Sequence, residues 1–168
     1  MKKPHIIALA AISLLVISVC AVLAVKPATQ AVQQPQIVVF TPQALLVEAN
    51  RLRAAKGVAP LRLDERLNET AQVRADDMAK RNYFSHYDPV TGENLAKILN
   101  KYWPEPCQGV SENLDGAYYG QSPFAGEGWV SSKPHYEAEI DPKYDITGFG
   151  SVITDGQVYY VQHFCDLR

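Results

Sequence analysis

This sequence has no excess of positive charge. Sixteen Lys and Arg stand against eighteen Asp and Glu, a formal net charge of −2. No basic surplus exists to hold phosphates, which argues against a nucleic-acid partner. Cysteine is scarce: Cys20, Cys107 and Cys165 are the three. None has a partner at Cys-x-x-Cys spacing, so a cysteine-built metal site is not expected. Histidine is limited to His5, His86, His135 and His163. Internal repeats are lacking. A convincing nucleophile is lacking too, because Ser85 and Ser111 adjoin other polar motif residues and read as local hydrogen-bonding or capping groups.

What the chain does have begins at its start. Residues 6–25 form an uncharged apolar run behind Lys2 and Lys3. Crossing a bilayer core takes roughly 20 apolar residues, and the flanking lysines set a weak positive-inside bias. The chain beyond Val25 is therefore expected outside the cytoplasm. The run is long for a cleaved signal peptide, which favours an uncleaved anchor over cleavage. A lipid-modified Cys20 fits less well, because Val19 before it is bulky. Lys26 onwards reads KPATQAVQQPQ, a polar, aperiodic linker. The short apolar patch Ile37-Val38-Val39-Phe40 reads as an extra strand or a clip onto the domain. The division expected is thus 1–25 export segment, 26–40 linker and 41–168 one domain, large enough for a real core. Two cysteines, Cys107 and Cys165, remain for an exported domain where oxidation is permitted. They read as one disulfide, with two buried free thiols as the alternative.

Thr41-Pro42 is a helix start, with Thr as cap and Pro in the first turn. Leu45, Leu46, Ala49 and Leu52 follow at helical spacing, and Gly57 ends the run. Asp64 caps a second helix whose Leu67, Ala71, Arg74, Ala75 and Met78 share one face and read as core packing. A third helix is expected over residues 93–102, with Leu95, Ile98, Leu99 and Tyr102 inward and Pro104 and Pro106 beyond it. A fourth is expected from Ser122-Pro123, carrying Phe124, Trp129 and Val130. Residues 146–153 and 158–164 are rich in β-branched and aromatic side chains, and the Asp155-Gly156 between them signals a hairpin. Helices followed by a hairpin predict an α+β fold with helices packed on an antiparallel sheet.

Five segments in order carry a resemblance. They are residues 45–89 with YFSHYDP at their end, VSENL at 110–114, GWVSSKPHY at 128–136, YDITGFGSVI at 144–153 and VYYVQHFCD at 158–166. Together they resemble the CAP superfamily, the SCP-domain group of cysteine-rich secretory proteins, antigen 5 and pathogenesis-related proteins, in a bacterial-type form. The resemblance implies a three-layer α–β–α sandwich with a central antiparallel sheet, found outside the cytoplasm. It implies a cleft holding two histidines and two acids. By motif position His86 matches the first histidine, Glu112 the first acid and His135 the second histidine. The second acid belongs three residues after Trp129, where this chain has Ser132, so a mechanism needing two carboxylates is in doubt. Glu137 and Glu139 lie nearby without a sign that they face the cleft. Asn113 is read as buttressing backbone at the cleft, and Gln162 as supporting the site.

The functional expectations follow from that trio. No cofactor is required by it. Two neutral imidazoles, His86 and His135, can hold Zn²⁺ or another divalent cation, with Glu112 as third ligand or as a partner behind one imidazole. Tyr83, Tyr87, Tyr118, Tyr119 and Tyr136 read as ordinary packing or as a cleft wall for lipid, sterol, peptide or glycan. His163, alternating with Gln162 and Phe164, reads as a surface or sheet-edge residue, with cleft lining as the alternative. The leading expectation is a binding module displayed on the cell envelope, taking a small apolar ligand, an envelope fragment, a metal or a protein. The alternative is a metal-assisted hydrolase of peptides or envelope polymers using the same residues. A third is a scaffold with a vestigial cleft.

Overall fold

The computed structural model describes residues 37–102 and 107–168, with backbone only at 100 and 102. The expected export segment, Cys20, His5, most of the linker, and Pro104 and Pro106 lie outside the described residues. Among the described residues no helix is long and apolar enough to cross a membrane.

Helix α1 spans Pro42–Ala55 and starts where the Thr41 hydroxyl accepts a bond from the Ala44 amide at 3.2 Å. A two-residue strand β1, Arg62–Leu63, leads to α2, Glu65–Lys80. The Asp64 carboxylate caps α2 by accepting from the Arg66 amide at 2.9 Å. Helix α3 is Leu95–Tyr102, strand β2 is Gly109–Tyr118 and helix α4 is Lys133–Ile140. Strands β3, Ile146–Ile153, and β4, Gln157–Asp166, form the hairpin. The sheet order is β1-β3-β4-β2.

Strands β3, β4 and β2 pair antiparallel, but β1 runs parallel to β3. The sheet is mixed, which corrects the wholly antiparallel expectation. A parallel neighbour needs a long crossover, and the chain between β1 and β3 supplies one. Strand β2 had no sequence signal of its own. Gly109, Ser111, Glu112, Asn113, Asp115 and Gly116 are poor strand formers, and pairing with β4 over its full length holds them extended.

Alternation along β3 and β4 sorts their side chains between the two faces of the sheet, which carry three apolar clusters. Phe149, Tyr160 and Phe164 pack with Leu45 and Ala49 of α1 and with Trp129. On the other face Ile146 and Cys165 pack with Leu67, Leu95 and Leu99, while Val161 packs with Ala71, Ala75 and Met78. Helix α2 comes so near that a β-carbon at Gly148 or Gly150 would sit 2.2 or 2.3 Å from its backbone. Glycine is needed there for want of space.

The helix expected from Ser122 does not form. Ala125, Gly128 and Ser131 donate to the carbonyls three residues back, a chain of tight turns, and Gly126 adopts a left-handed φ of +59°. The helix begins later, after Ser132, with Pro134 in its first turn. Cys107 and Cys165 are joined by a disulfide, which ties the segment before β2 to the end of β4. Val39 and Phe40 lie against the α1-side cluster, and the Phe40 amide donates to the Tyr160 hydroxyl at 3.2 Å.

Candidate functional site

His86 lies in the loop after α2, where the chain turns at Asn82 with φ +53°. Arg74 fixes this loop by donating from Nη2 to the Ser85 carbonyl at 2.7 Å and from Nη1 to the Tyr83 hydroxyl at 3.0 Å. His86 Nδ1 meets Glu112 Oε1 at 2.9 Å. The second oxygen, Oε2, meets His163 Nε2 at 3.0 Å and lies 3.5 Å from Arg74 Nε. That last distance makes an ion pair rather than a hydrogen bond, and Arg74 Nε has no hydrogen-bond partner. His163 Nδ1 meets the Thr70 hydroxyl at 3.0 Å, and that hydroxyl also lies 3.1 Å from the Leu67 carbonyl.

A carboxylate only accepts, so both imidazoles donate to Glu112. His86 then presents Nε2 as its remaining polar atom. The side chains of His163, Arg74 and Glu112 are 0, 2 and 4 % exposed, against 48 % for His86. One exposed imidazole therefore stands on a buried, charged support. Burial pushes the Glu112 carboxyl up, but hydrogen bonds from His163 and His86 and the charges of His163 and Arg74 outweigh it and hold it at about 2. Glu112 is an anion throughout the neutral range.

The expectation that His163 lies at the surface or the sheet edge is overturned. Strand β4 is flanked by β3 and β2 and covered on both faces, so alternation moves a residue between two interiors. Arg74 stands on the face of α2 that its spacing assigns to core packing, and it is buried there. A charged residue at a core position was the signal, since such a group is almost never buried without a partner.

The neighbouring residues of the same ladder point the opposite way. Glu112 pairs in register with His163, and Asn113 with Gln162. Asn113 Nδ2 donates to the His135 carbonyl and to Glu139 Oε1, each at 3.2 Å. Gln162 Nε2 donates to Glu139 Oε2 at 3.3 Å and to the Thr147 hydroxyl at 3.2 Å. Glu139, Asn113 and Gln162 are buried, as is Arg53, which donates from Nη1 to the Glu139 carbonyl at 2.7 Å. Glu139 and Arg53 carried no sequence sign of this role beyond being charged residues on short helical faces. Burial raises the Glu139 carboxyl to about 8 despite the Gln162 and Asn113 bonds and the Arg53 charge.

His135 is half-buried on α4, and its ring centre lies 6.5 Å from that of His86. Burial, and then the neighbouring His86, lower its pKa and favour the neutral ring. Ser132 precedes α4 without a side-chain capping bond. Ser85 Oγ accepts from the Tyr87 amide. Tyr87 is exposed, and with His86, Asn94, Leu95, Ser111 and Glu112 it lines a cavity of 170 Å³. A cavity of 390 Å³ between α2 and α3 reaches Arg74 from another side, and one of 440 Å³ lies along the end of β2. Neither is lined by His86 or His135.

The arrangement does not make a metal centre as it stands. Among the described residues no three His, Cys, Asp or Glu side chains are placed to share an ion. Two imidazoles on one tetrahedral zinc have ring centres roughly 5 Å apart, closer than the pair here. Both Glu112 oxygens are already taken by imidazoles.

Known proteins resemble this chain in sequence and in fold. Residues 46–164 match the model of the cysteine-rich secretory protein (CAP) family. The Bacillus subtilis membrane protein YlbC is 32% identical over 116 residues, 68% of this chain and 31% of YlbC. YkwD of the same species is 26% identical over 107 residues, 61% of this chain and 39% of YkwD. The chain thus spans between about 31% and 39% of the length of these relatives. An outer surface protein of Borrelia burgdorferi superposes with a TM-score of 0.65 at 22% identity, over 75% of this chain and 92% of that one. An extracellular SCP-domain protein of Bacillus anthracis superposes at 0.61 with 26% identity, over 74% and 39%.

Proposed function

This chain belongs to the cysteine-rich secretory protein (CAP) family, and from that premise we propose that it is an extracytoplasmic binding module of a bacterial envelope. Its ligand is a polar envelope fragment, a peptide or glycan, gripped between the imidazoles of His86 and His135. The extracellular setting named for the Bacillus anthracis protein and the membrane setting named for YlbC support the location, as does the apolar run at residues 6–25. Packing on both faces of the sheet supports the layered α–β–α arrangement.

One observation carries the binding reading: Glu112 is fully engaged. Its two oxygens orient two imidazoles and its charge offsets Arg74. A carboxylate so committed holds His86 in place, and it is not free to take a proton from water. His86 Nε2 and the His135 ring are then the groups that meet a ligand, through hydrogen bonds with its hydroxyl or amide groups.

Calorimetric titration of the full chain with soluble peptidoglycan fragments tests this. Binding by the parent that is lost in His86→Ala and His135→Ala is the expected result. Absence of binding by the parent, or equal binding by all three proteins, overturns it. The second reading, a metal-assisted hydrolase, draws on the proximity of His86 and His135. It needs the two rings to approach and Glu112 to leave its partners, and it predicts fragment cleavage that appears only with added Zn²⁺.

A further inference from the structure

Glu139 is a buried carboxyl that the cleft itself does not use. It sits on α4 one helical turn after His135, and the two residues share a side of the helix. A single amide group, Asn113 Nδ2, donates both to the His135 carbonyl and to Glu139 Oε1. Gln162 Nε2 donates to the other carboxyl oxygen. Helix α4 has only eight residues and no side-chain cap at its start. Its placement therefore depends on this inner contact and on Arg53, which binds the Glu139 and Asp141 carbonyls at its end.

One atom in the cluster is unmatched. Gln162 Oε1 is buried and has no hydrogen-bond partner. As placed, both amides donate to Glu139, which suits a carboxylate. A protonated Glu139 has a proton to give, and a half-turn of the Gln162 amide brings Oε1 into position to accept it. Gln162 can thus serve either charge state of the carboxyl, at the cost of its bond to the Thr147 hydroxyl when it turns.

We propose that Glu139 is the positioning residue for His135, and that gain or loss of its proton, with a half-turn of the Gln162 amide, is passed to His135 through Asn113. The inference rests on His135 being a cleft residue. The groups facing Glu139 favour such a switch. Arg53 from α1 supplies the one charge, Asn113, Gln162 and Thr147 from the three strands are neutral, and His135 lies on the same helix. The charges of Asp141 and Asp145 also act on Arg53, whose Nη1 donates to the Asp141 carbonyl as well. Burial places the change at about pH 8.

Carbon-13 labelling of histidine in the full chain reads the effect without any ligand, so the result stands apart from the binding test. His135→Gln identifies the His135 ring signal. In the parent that signal is expected to show its own titration and a second inflection near pH 8. Glu139→Gln is expected to remove the second inflection and leave the first. A parent signal without the second inflection overturns the proposal and needs no variant to fold. Persistence of the inflection in Glu139→Gln overturns it equally.

Discussion

Replacing Glu112 by glutamine removes one charge from a cluster built around it. The carboxyl stands at about 2 in the folded chain against 4.5 for the free group. At 1.36 kcal/mol per unit that difference amounts to roughly 3 kcal/mol of stability. Because the folded value is the lower one, the contribution is complete above pH 4.5 and is lost as pH falls from 4.5 towards 2. The variant also leaves the Arg74 cation, 2 % exposed, without its counter-charge, and breaking a buried pair costs about 3–5 kcal/mol. Glutamine keeps one accepting oxygen, so one imidazole stays bonded and the lower end of that range applies. Glu112→Gln is therefore expected to lose about 3 kcal/mol at pH 7. The gap should narrow as pH falls through 4 to 2. Urea unfolding followed by circular dichroism at pH 7, 4 and 2.5 measures both parts. A loss below about 1 kcal/mol at pH 7, or a gap that does not change with pH, refutes the assignment of Glu112 as a stabilised anion.

Four further changes probe the rest of the structure. Glu139 behaves oppositely to Glu112: its folded value of about 8 lies above 4.5, so stability falls as pH rises from 4.5 to 8. Thermal melting of Glu139→Gln between pH 5 and 9 should show a flatter dependence than the parent. Gly148→Ala forces a methyl group to within 2.2–2.4 Å of Leu67 and Asn68 and should cost about 3 kcal/mol or more in urea unfolding. The Cys107→Ser, Cys165→Ser double variant opens a loop of sequence separation 58, for which chain entropy predicts a loss of about 4 kcal/mol, measurable against the disulfide-bonded parent. Arg53→Met leaves the Ala59, Glu139, Asp141 and Tyr144 carbonyls without this donor. At about 1–3 kcal/mol per buried unsatisfied group, a loss of at least roughly 3 kcal/mol is expected from the same assay.

Much of this protein was legible in local chemistry. Thr41 and Asp64 mark their helices because their oxygens satisfy first-turn amides wherever the chain goes next. The β3–β4 hairpin was equally plain, since β-branched runs around Asp-Gly are a local signal. The family followed from ordered motifs, and with it the expectation that His86, Glu112 and His135 line a cleft. What sequence alone left undecided concerns residues whose state depends on partners far along the chain. His163 alternates like a surface residue, yet pairing with β3 and β2 makes its strand interior. Glu112 stands among Arg74, His86 and His163, and no local pattern announces a carboxylate shared by three cations or donors. The helix at Ser122 failed because tight turns through Gly126 outcompeted a modest propensity. Strand β2 formed against its own composition because β4 offered a full ladder. Propensity, capping and turn chemistry act over a few residues and can be read from the chain. Burial, charge pairing and the shared hydrogen bonds of Glu112 and Glu139 act across space, and only the folded chain brings those groups together.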